Sequence, residues 1–221
     1  MIQKTMDISL IRHGWTEYNH RGAYCCDLDP PLSVYGVRDL ALLCKEHPYE
    51  PVEQVYCSPL IRCQMTAAII YPQHEPVIFN QLREMSFGEY DGRLASEVKK
   101  EPYYQQREVL GDLFRMPGGE SFQEATERMK QGLDLVVKDA MEHQYSRIAV
   151  VSHSVVISRL FRACLETPLT PAQLFLPNGM GHLVQWQCNE KGFSHGRLTY
   201  IAPIPEGGKR PDMNDSPYIS K

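Results

Sequence analysis

Two histidines follow predicted strands at positions where open α/β sheets bind their ligands. His13 comes after an alternating apolar and polar segment at 7–10, and His153 comes after the apolar run at 148–151. Both residues therefore stand at the carboxyl ends of predicted strands. Arg12 directly precedes His13. Its planar guanidinium suits a phosphate, and a neutral imidazole beside it can act as a nucleophile or a base.

Two further residues are candidates for the same site. Arg62 lies near the start of the helix predicted after the second strand, where its charge could neutralise phosphoryl oxygens. Glu84 lies in a glycine-containing loop at 82–94. It is a candidate general acid, because a leaving alkoxide must gain a proton. The chemistry of the residues does not distinguish Glu84 from Glu89 or Asp91 in the same loop.

The composition is that of an ordinary globular protein with enough residues for a sizeable core. The 221 residues are 43% hydrophobic and 23% charged, and the formal net charge is −4. A broad nucleic-acid surface usually has a strong positive excess, so no nucleic-acid partner is expected. A small anionic ligand is compatible with this charge, because a few converging arginines set the local potential.

The sequence also lacks the signals of membrane, secreted and zinc-binding proteins. No apolar run reaches the roughly 18 residues of a membrane span, and the amino terminus has no signal-peptide pattern. The seven cysteines are scattered, and no pair has Cys-x-x-Cys spacing. We therefore expect reduced thiols packed as small hydrophobes, no bound metal, no membrane partner and a cytoplasmic location.

Strand and helix patterns alternate along the chain. Strands are predicted at 7–10, 52–57, 77–79, 148–151, 183–188 and 198–201, and helices at 37–47, 61–71, 95–110, 122–140 and 155–165. Ser121 and Glu124 have the spacing of a capping box at the start of the longest helix. The alternation predicts an α/β fold with a mostly parallel central sheet.

The carboxyl-terminal residues differ in composition from the rest. Residues 203–221 contain four of the sixteen prolines and little apolar content. We therefore expect one catalytic domain over 1–202 and a flexible tail over 203–221.

Five segments, in chain order, resemble motifs of the histidine phosphatase superfamily, in its phosphoglycerate mutase-like branch. They are Arg-His-Gly-Trp-Thr-Glu-Tyr-Asn at 12–19, Ser-Pro-Leu-Ile-Arg at 58–62, Glu84 with Phe87-Gly88 and Gly92, Pro-Gly-Gly-Glu-Ser at 117–121, and Val-Ser-His at 151–153. The resemblance implies a three-layer α/β/α sandwich. It also implies a reaction on a small phosphorylated substrate without a metal or cofactor, by a monomer or homodimer.

The resemblance also implies a role for each matching residue. His13 would attack phosphorus and become phosphohistidine. Arg12, Arg62 and His153 would hold the phosphoryl oxygens, with Asn19 helping to orient the pocket. Glu84 would protonate the leaving group and then accept a proton from the attacking water. This division agrees with the demands of phosphoryl transfer, which needs positioning and charge stabilisation above all.

The chain departs from the family pattern at two places beside the expected substrate. Cys25 and Cys26 stand where phosphatases of this branch often have Gln-Gly, and Ser154 stands where a glycine usually follows the second histidine. Cys26 and Ser154 are therefore predicted to border the substrate and to influence its choice.

The resemblance indicates a metal-independent, acid-type phosphatase that hydrolyses a small phosphomonoester. One alternative is a cofactor-dependent phosphoglycerate mutase, but mutases of this type have a longer middle insertion. Here only about thirty residues separate Glu84 from Pro117. The other alternative is a non-catalytic phospho-ligand-binding protein, which would not need a nucleophile and a proton donor together.

Overall fold

The computed structural model describes residues 4–167, 170, 174, 176–188 and 196–208. The strands are β1 (Lys4–Arg12), β2 (Gln54–Cys57), β3 (Val77–Ile78), β4 (Arg147–Ser152), β5 (Leu165–Glu166), β6 (Gly181–Cys188) and β7 (Arg197–Ile204). The α-helices are α1 (Glu17–Arg21), α2 (Val34–Glu46), α3 (Ile61–Ile70), α4 (Ala95–Val98), α5 (Pro102–Gln105), α6 (Arg107–Leu110), α7 (Phe122–Glu142) and α8 (Ser154–Cys164). Single 3-10 turns lie at Asn80–Leu82, Gly88–Tyr90 and Gly111–Leu113.

The seven strands form one sheet in the order β3-β2-β4-β1-β6-β7-β5. The pairs β2–β3, β2–β4, β1–β4 and β5–β7 are parallel, and the pairs β1–β6 and β6–β7 are antiparallel. The predicted mostly parallel sheet is therefore confirmed. Because β1 and β4 are adjacent and parallel, their carboxyl ends meet at one edge, with Arg12 opposite Ser152.

The sheet lies between two layers of helices, as the three-layer prediction requires. Successive strand residues alternate between the faces: Ile8 and Leu10 pack in the core shared with α7 and α8, whereas Ile11 packs in the core shared with α3. β4 alternates in the same way, and its residues 148–152 are all buried. This double burial explains the continuous apolar run in the sequence.

Two local predictions can be compared directly with the structure. α7 begins with the predicted capping box: Ser121 Oγ accepts from the Glu124 amide at 3.1 Å, and Glu124 accepts from the Ser121 amide at 2.9 Å. The polar stretch before it does not form one helix. It forms three short helices, α4, α5 and α6. Pro102 separates the first two, because it cannot continue a helix and instead stands at the first position of α5.

The predicted boundary of the tail at 202 is wrong by at least two residues. β7 continues to Ile204, because its last residues pair with the beginning of β6 at Gly181 and His182. The greater part of the predicted tail, 209–221, lies outside the described residues. Within the described ranges, no helix has the length and apolar composition needed to cross a membrane.

Candidate active site

The two histidines predicted to share a site are neighbours at the carboxyl edge of the sheet. The parallel pairing of β1 with β4 brings the His13 amide to 3.0 Å from the Ser152 carbonyl. The ring centroids of His13 and His153 are 5.2 Å apart. Both side chains are buried, so the site lies at the floor of a depression in the surface.

The ring of His13 is fixed in one orientation and tautomer. Its Nδ1 lies 2.7 Å from the Gly14 carbonyl oxygen. Since a carbonyl can only accept, Nδ1 carries the proton and Nε2 keeps its lone pair. Burial lowers the pKa of His13 well below its usual value, and the charges of Arg62 and Arg12 lower it further. The result is a neutral imidazole with a nucleophilic Nε2.

Two buried guanidinium groups accompany this imidazole. Arg12 donates to the Leu176 carbonyl at 2.8 Å. Arg62 is the second residue of α3 and is 1% exposed. It donates to the Cys25 carbonyl at 3.2 Å and lies 3.5 Å from an oxygen of Asp29. Two fixed cations beside a neutral nucleophile form an environment for the oxygens of a phosphoryl group.

His153 is held by hydrogen bonds on its buried side. Its Nε2 lies 2.8 Å from Ser58 Oγ and 3.3 Å from Cys63 Sγ. Burial lowers the pKa of His153 well below its usual value, and the charge of Arg62 adds to the shift. His153 is therefore a neutral hydrogen-bonding partner next to His13 rather than a further cation.

The structure distinguishes Glu84 from the two other acidic candidates in its loop. Glu84 is buried, and its carboxylate accepts from the Met85 amide at 2.9 Å and from the Val156 amide in α8 at 3.3 Å. Glu89 is exposed. Asp91 instead accepts from the amides of Cys26 and Leu28, at 2.6 and 3.0 Å. Glu84 alone of the three lines the cavity described below.

Burial also gives Glu84 the character of an acid. It raises the pKa of this carboxyl above its usual value, although the Met85 amide and the charge of Arg62 oppose the shift. A buried carboxyl with a raised pKa retains its proton to higher pH and can donate it during a reaction.

An ion pair outside the cavity fixes the backbone that carries Glu84. Arg128 in α7 donates to the carbonyls of Gln81, Arg83 and Glu84, at 2.9, 2.8 and 3.1 Å. It also makes two 2.7 Å hydrogen bonds to Glu120. The side chains of Arg128 and Glu120 are 15% and 16% exposed. This pair therefore connects α7 to the loop that presents the acid.

Asn19 lies where it can contact a ligand, but it is also a structural residue. Its Oδ1 accepts from the amide and hydroxyl of Thr16, at 3.1 and 3.0 Å, and from Asn178 at 3.1 Å. These three donors fix the position of Oδ1, so the side-chain NH₂ group of Asn19 points away from Thr16 and Asn178. Asn19 is half-buried and lines the cavity, as does Ser154 at the start of α8.

The predicted contact between Cys26 and the substrate is corrected by the structure. Cys26 is fully buried in the hydrophobic core, and its thiol donates to the Glu84 carbonyl at 3.3 Å. Its neighbour Cys25 lines the cavity instead. Burial raises the pKa of Cys25 to about 12, so the thiol that lines the cavity is neutral. An irregular loop has no periodicity from which the sequence could indicate which cysteine faces inward.

A cavity of about 630 Å³ lies above these groups. Its lining combines charged and polar residues with apolar and aromatic ones: Arg12, His13, Asn19, Tyr24, Cys25, Glu84, Phe87, Tyr104, Arg107, Glu108, Gly111, Asp112, Met116, Phe122, Ser154, Val155, Ser158, Arg159, Arg162 and Leu174. Arg62 and His153, which are 1% and 0% exposed, are not among these residues.

Sequence reasoning missed two groups that position the nucleophile. The side-chain amide of Asn178 donates to the carbonyls of His13 and Gly14, at 3.1 and 3.2 Å, and the carbonyl of Leu176 holds Arg12. Pro177, Asn178 and Gly179 are typical of a turn. That pattern gives no indication that the turn packs against a strand end more than 160 residues earlier in the chain.

A buried neutral histidine, flanking guanidinium groups and a buried carboxyl with a raised pKa at the carboxyl edge of an α/β sheet define a phosphoryl-transfer site. The model of the histidine phosphatase superfamily (branch 1) matches residues 8–198. The chain belongs to this superfamily, as the sequence motifs predict.

Known relatives agree with this assignment. Phosphoserine phosphatase 1 of Hydrogenobacter thermophilus is 31% identical over 165 residues, which cover 73% of this chain and 77% of the relative. Adenosylcobalamin/alpha-ribazole phosphatase of Salmonella typhimurium is 29% identical over 170 residues, which cover 74% and 81%. These relatives support the predicted phosphatase class.

A solved structure supports the fold. Phosphoglycerate mutase from Bacillus anthracis matches with a TM-score of 0.72 at 18% identity, over 90% of this chain and 93% of that chain. At this identity the likeness shows the fold alone, and it confirms the phosphoglycerate mutase-like architecture.

Proposed function

We propose that this chain is a phosphatase that hydrolyses small phosphomonoesters through a phosphohistidine on Nε2 of His13. The observation that carries the proposal is the 2.7 Å contact between His13 Nδ1 and the Gly14 carbonyl. This contact leaves Nε2 with a lone pair beside Arg12 and Arg62. Such an arrangement suits nucleophilic attack on a phosphoryl group whose charge the arginines stabilise.

In the first step, the lone pair of His13 Nε2 attacks phosphorus and the bond to the ester oxygen breaks. The bonding electron pair remains on that oxygen, which takes the proton of Glu84 and leaves as an alcohol. Arg12, in the cavity lining, stabilises the charge on the remaining phosphoryl oxygens, and the buried Arg62 adds its positive charge beside them. The neutral His153 is fully buried and supports the ring of His13 from behind.

In the second step, a water oxygen attacks the phosphorus of the phosphohistidine. The P–N bond breaks, and its electron pair returns to Nε2. The carboxylate of Glu84 accepts the proton that the water loses, so inorganic phosphate leaves and the acid is restored. One carboxyl thus serves as acid and then as base, which its raised pKa favours.

Trapping the intermediate tests this mechanism. The protein is mixed with a ³²P-labelled monoester and quenched in alkali, in which phosphohistidine survives, and the label is then released by acid. His13→Ala is expected to show no label and at least about 10³-fold less phosphate release while retaining its fold. Retained activity in this variant would exclude His13 as the nucleophile.

We also propose that the reaction needs no metal ion. The arginines and imidazoles supply the charge and hydrogen bonds that a metal would otherwise supply. Within the part of the chain that the structure describes, His, Cys, Asp and Glu side chains do not form a group of three suited to a metal. Chelation by EDTA is expected to leave the rate unchanged, and a loss of rate restored by Zn²⁺ or Mg²⁺ would contradict this.

A phosphoglycerate mutase is the second candidate function, and the fold likeness to a mutase motivates its test. A mutase must keep its phosphohistidine away from water until the second oxygen arrives, which calls for a substantial lid. Here the segment between Glu84 and Pro117 contains only the short helices α4, α5 and α6 and single turns. With 3-phosphoglycerate, ³¹P NMR is expected to show free phosphate, whereas faster formation of 2-phosphoglycerate would favour the mutase.

A further inference from the structure

The cavity continues from the candidate active site along one face of α8. Ser154, Val155, Ser158, Arg159 and Arg162 line it. Their spacing of three and four residues places them on the same side of the helix. The apolar residues between them are buried on the opposite side. α8 therefore presents a polar face that ends in two cations to whatever occupies the cavity.

The leaving group of a substrate would extend along this face. Glu84 is held against the first turn of α8 by the Val155 and Val156 amides. If Glu84 protonates the ester oxygen, which is part of the proposed function on which this inference rests, the leaving group departs beside α8. At a rise of about 1.5 Å per residue, Arg159 and Arg162 lie about 7.5 and 12 Å along the axis from Ser154.

Arg159 is held at the far wall of the cavity. Its side chain is 14% exposed and is bonded to Asp112, whose side chain is 75% exposed. Its guanidinium carbon lies 4.3 Å from the centroid of the Phe122 ring. Burial lowers the pKa of Arg159, and Arg162 lowers it further, whereas Asp112 opposes the shift. Arg159 and Arg162 are thus two neighbouring cations on α8, and the solvent-exposed carboxylate of Asp112 pairs with Arg159.

The opposite wall neutralises this positive charge only in part. It adds Glu108 and a third cation, Arg107, whose guanidinium carbon lies 4.8 Å from the centroid of the Tyr104 ring and which donates to its hydroxyl at 3.2 Å. Three arginines therefore face two carboxylates at the far end of the cavity. Such a local excess attracts an anion whatever the net charge of the chain.

We propose that this far end binds a second anionic group of the substrate. The substrate class is then a phosphomonoester with an elongated leaving group that ends in a carboxylate or a second phosphate.

Synthetic esters of graded length test this proposal. The probes are phosphate monoesters of straight-chain ω-hydroxy acids, the matching ω-amides, and the bisphosphates of the corresponding diols. For the longer chains, kcat/KM of the acid or the bisphosphate is expected to exceed that of the amide by about tenfold. The better of the two anionic series identifies the terminal group. Equal values for acid, bisphosphate and amide at every length would overturn the proposal.

Single substitutions test which residues cause the preference for anionic esters. R162Q and R159Q are expected to remove most of the tenfold preference, mainly through KM, whereas D112N is expected to increase it because a competing carboxylate is lost. R38Q, at an exposed position on α2, is the matched control and should retain the wild-type preference. Thermal unfolding confirms that each variant is folded. A preference retained by both R162Q and R159Q would contradict the assignment of the site.

These experiments distinguish a failure of the proposed substrate class from a failure of the proposed phosphatase mechanism. Hydrolysis of p-nitrophenyl phosphate with a labelled His13, but without any preference for anionic esters, would overturn the substrate class and leave the phosphatase mechanism standing. A protein that hydrolyses none of these esters and forms no phosphohistidine would overturn both.

Discussion

The Nδ1 atom of His13 and the carbonyl oxygen of Gly14 are 2.7 Å apart. This contact assigns the ring proton to Nδ1, and therefore the phosphoryl group is expected on Nε2. Long-range ¹H–¹⁵N spectra of the ¹⁵N-histidine-labelled intermediate, recorded in alkali, distinguish the two isomers. Phosphorylation on Nδ1 would mean that the ring turns before the reaction and would remove the structural basis of the mechanism.

Opposite pKa shifts at His13 and Glu84 predict a bell-shaped pH profile. The lowered pKa of His13 keeps its imidazole neutral at pH values well below 6.5, so the rate falls only when the pH drops below that lowered value. Because its pKa is raised, Glu84 retains its proton at pH values above 4.5. The rate therefore falls again as the pH rises through the raised pKa of Glu84. The optimum of kcat/KM is therefore expected on the acidic side of neutrality.

The variant Glu84→Gln checks the origin of the alkaline limb. Glutamine does not titrate, so the residual rate on an aryl phosphate is expected to lose that limb and to keep the acidic one. An alkaline limb that persists in this variant would assign the titration to another group.

The ion pair between Arg128 and Glu120 is expected to affect both stability and catalysis. Arg128→Met leaves the half-buried Glu120 carboxylate without its cation, and we expect the free energy of unfolding to fall by about 2 kcal/mol. Because the loop that carries Glu84 also loses three hydrogen bonds, kcat for alkyl phosphates should fall more than kcat for aryl phosphates. Arg128→Lys should recover part of both losses.

Chemical denaturation and a leaving-group series measure these two effects separately. If Arg128→Met lowered stability but left the ratio of alkyl to aryl rates unchanged, Arg128 would be structural only. Lys130→Met provides a control on the same helix, since Lys130 pairs only with the exposed Glu127 among the described residues.

The positions of His13 and His153 could be predicted because regular strands determine them. Alternation in β1 and the apolar run of β4 place both histidines at strand ends, and parallel pairing brings the ends together. The position of Glu84 could not be derived in this way. Its surroundings depend on Arg128 and the α8 amides, 44 and more residues away, and no local pattern indicates that a loop residue meets them.

The same reasoning explains why Cys25 and Asn178 were not predicted as site residues. In a strand or helix, the period of the structure indicates which side chain faces the core. The loop at 25–28 has no such period, and its shape is imposed by the carboxylate of Asp91, which binds the Cys26 and Leu28 amides. Side-chain contacts between loops distant in sequence are thus the part of the site that a single sequence does not reveal.

Glu84→Gln is expected to discriminate between leaving groups. An alkyl oxygen needs a proton as it leaves, so removal of the acid should slow alkyl phosphates by about 10²–10⁴-fold. An aryl phosphate with an acidic phenol needs little protonation and should be largely spared. Glu89→Gln is the matched control, because Glu89 is exposed and outside the cavity lining. If initial rates showed this pattern for Glu89→Gln but not for Glu84→Gln, the general acid would be misassigned, although the nucleophile could still be His13.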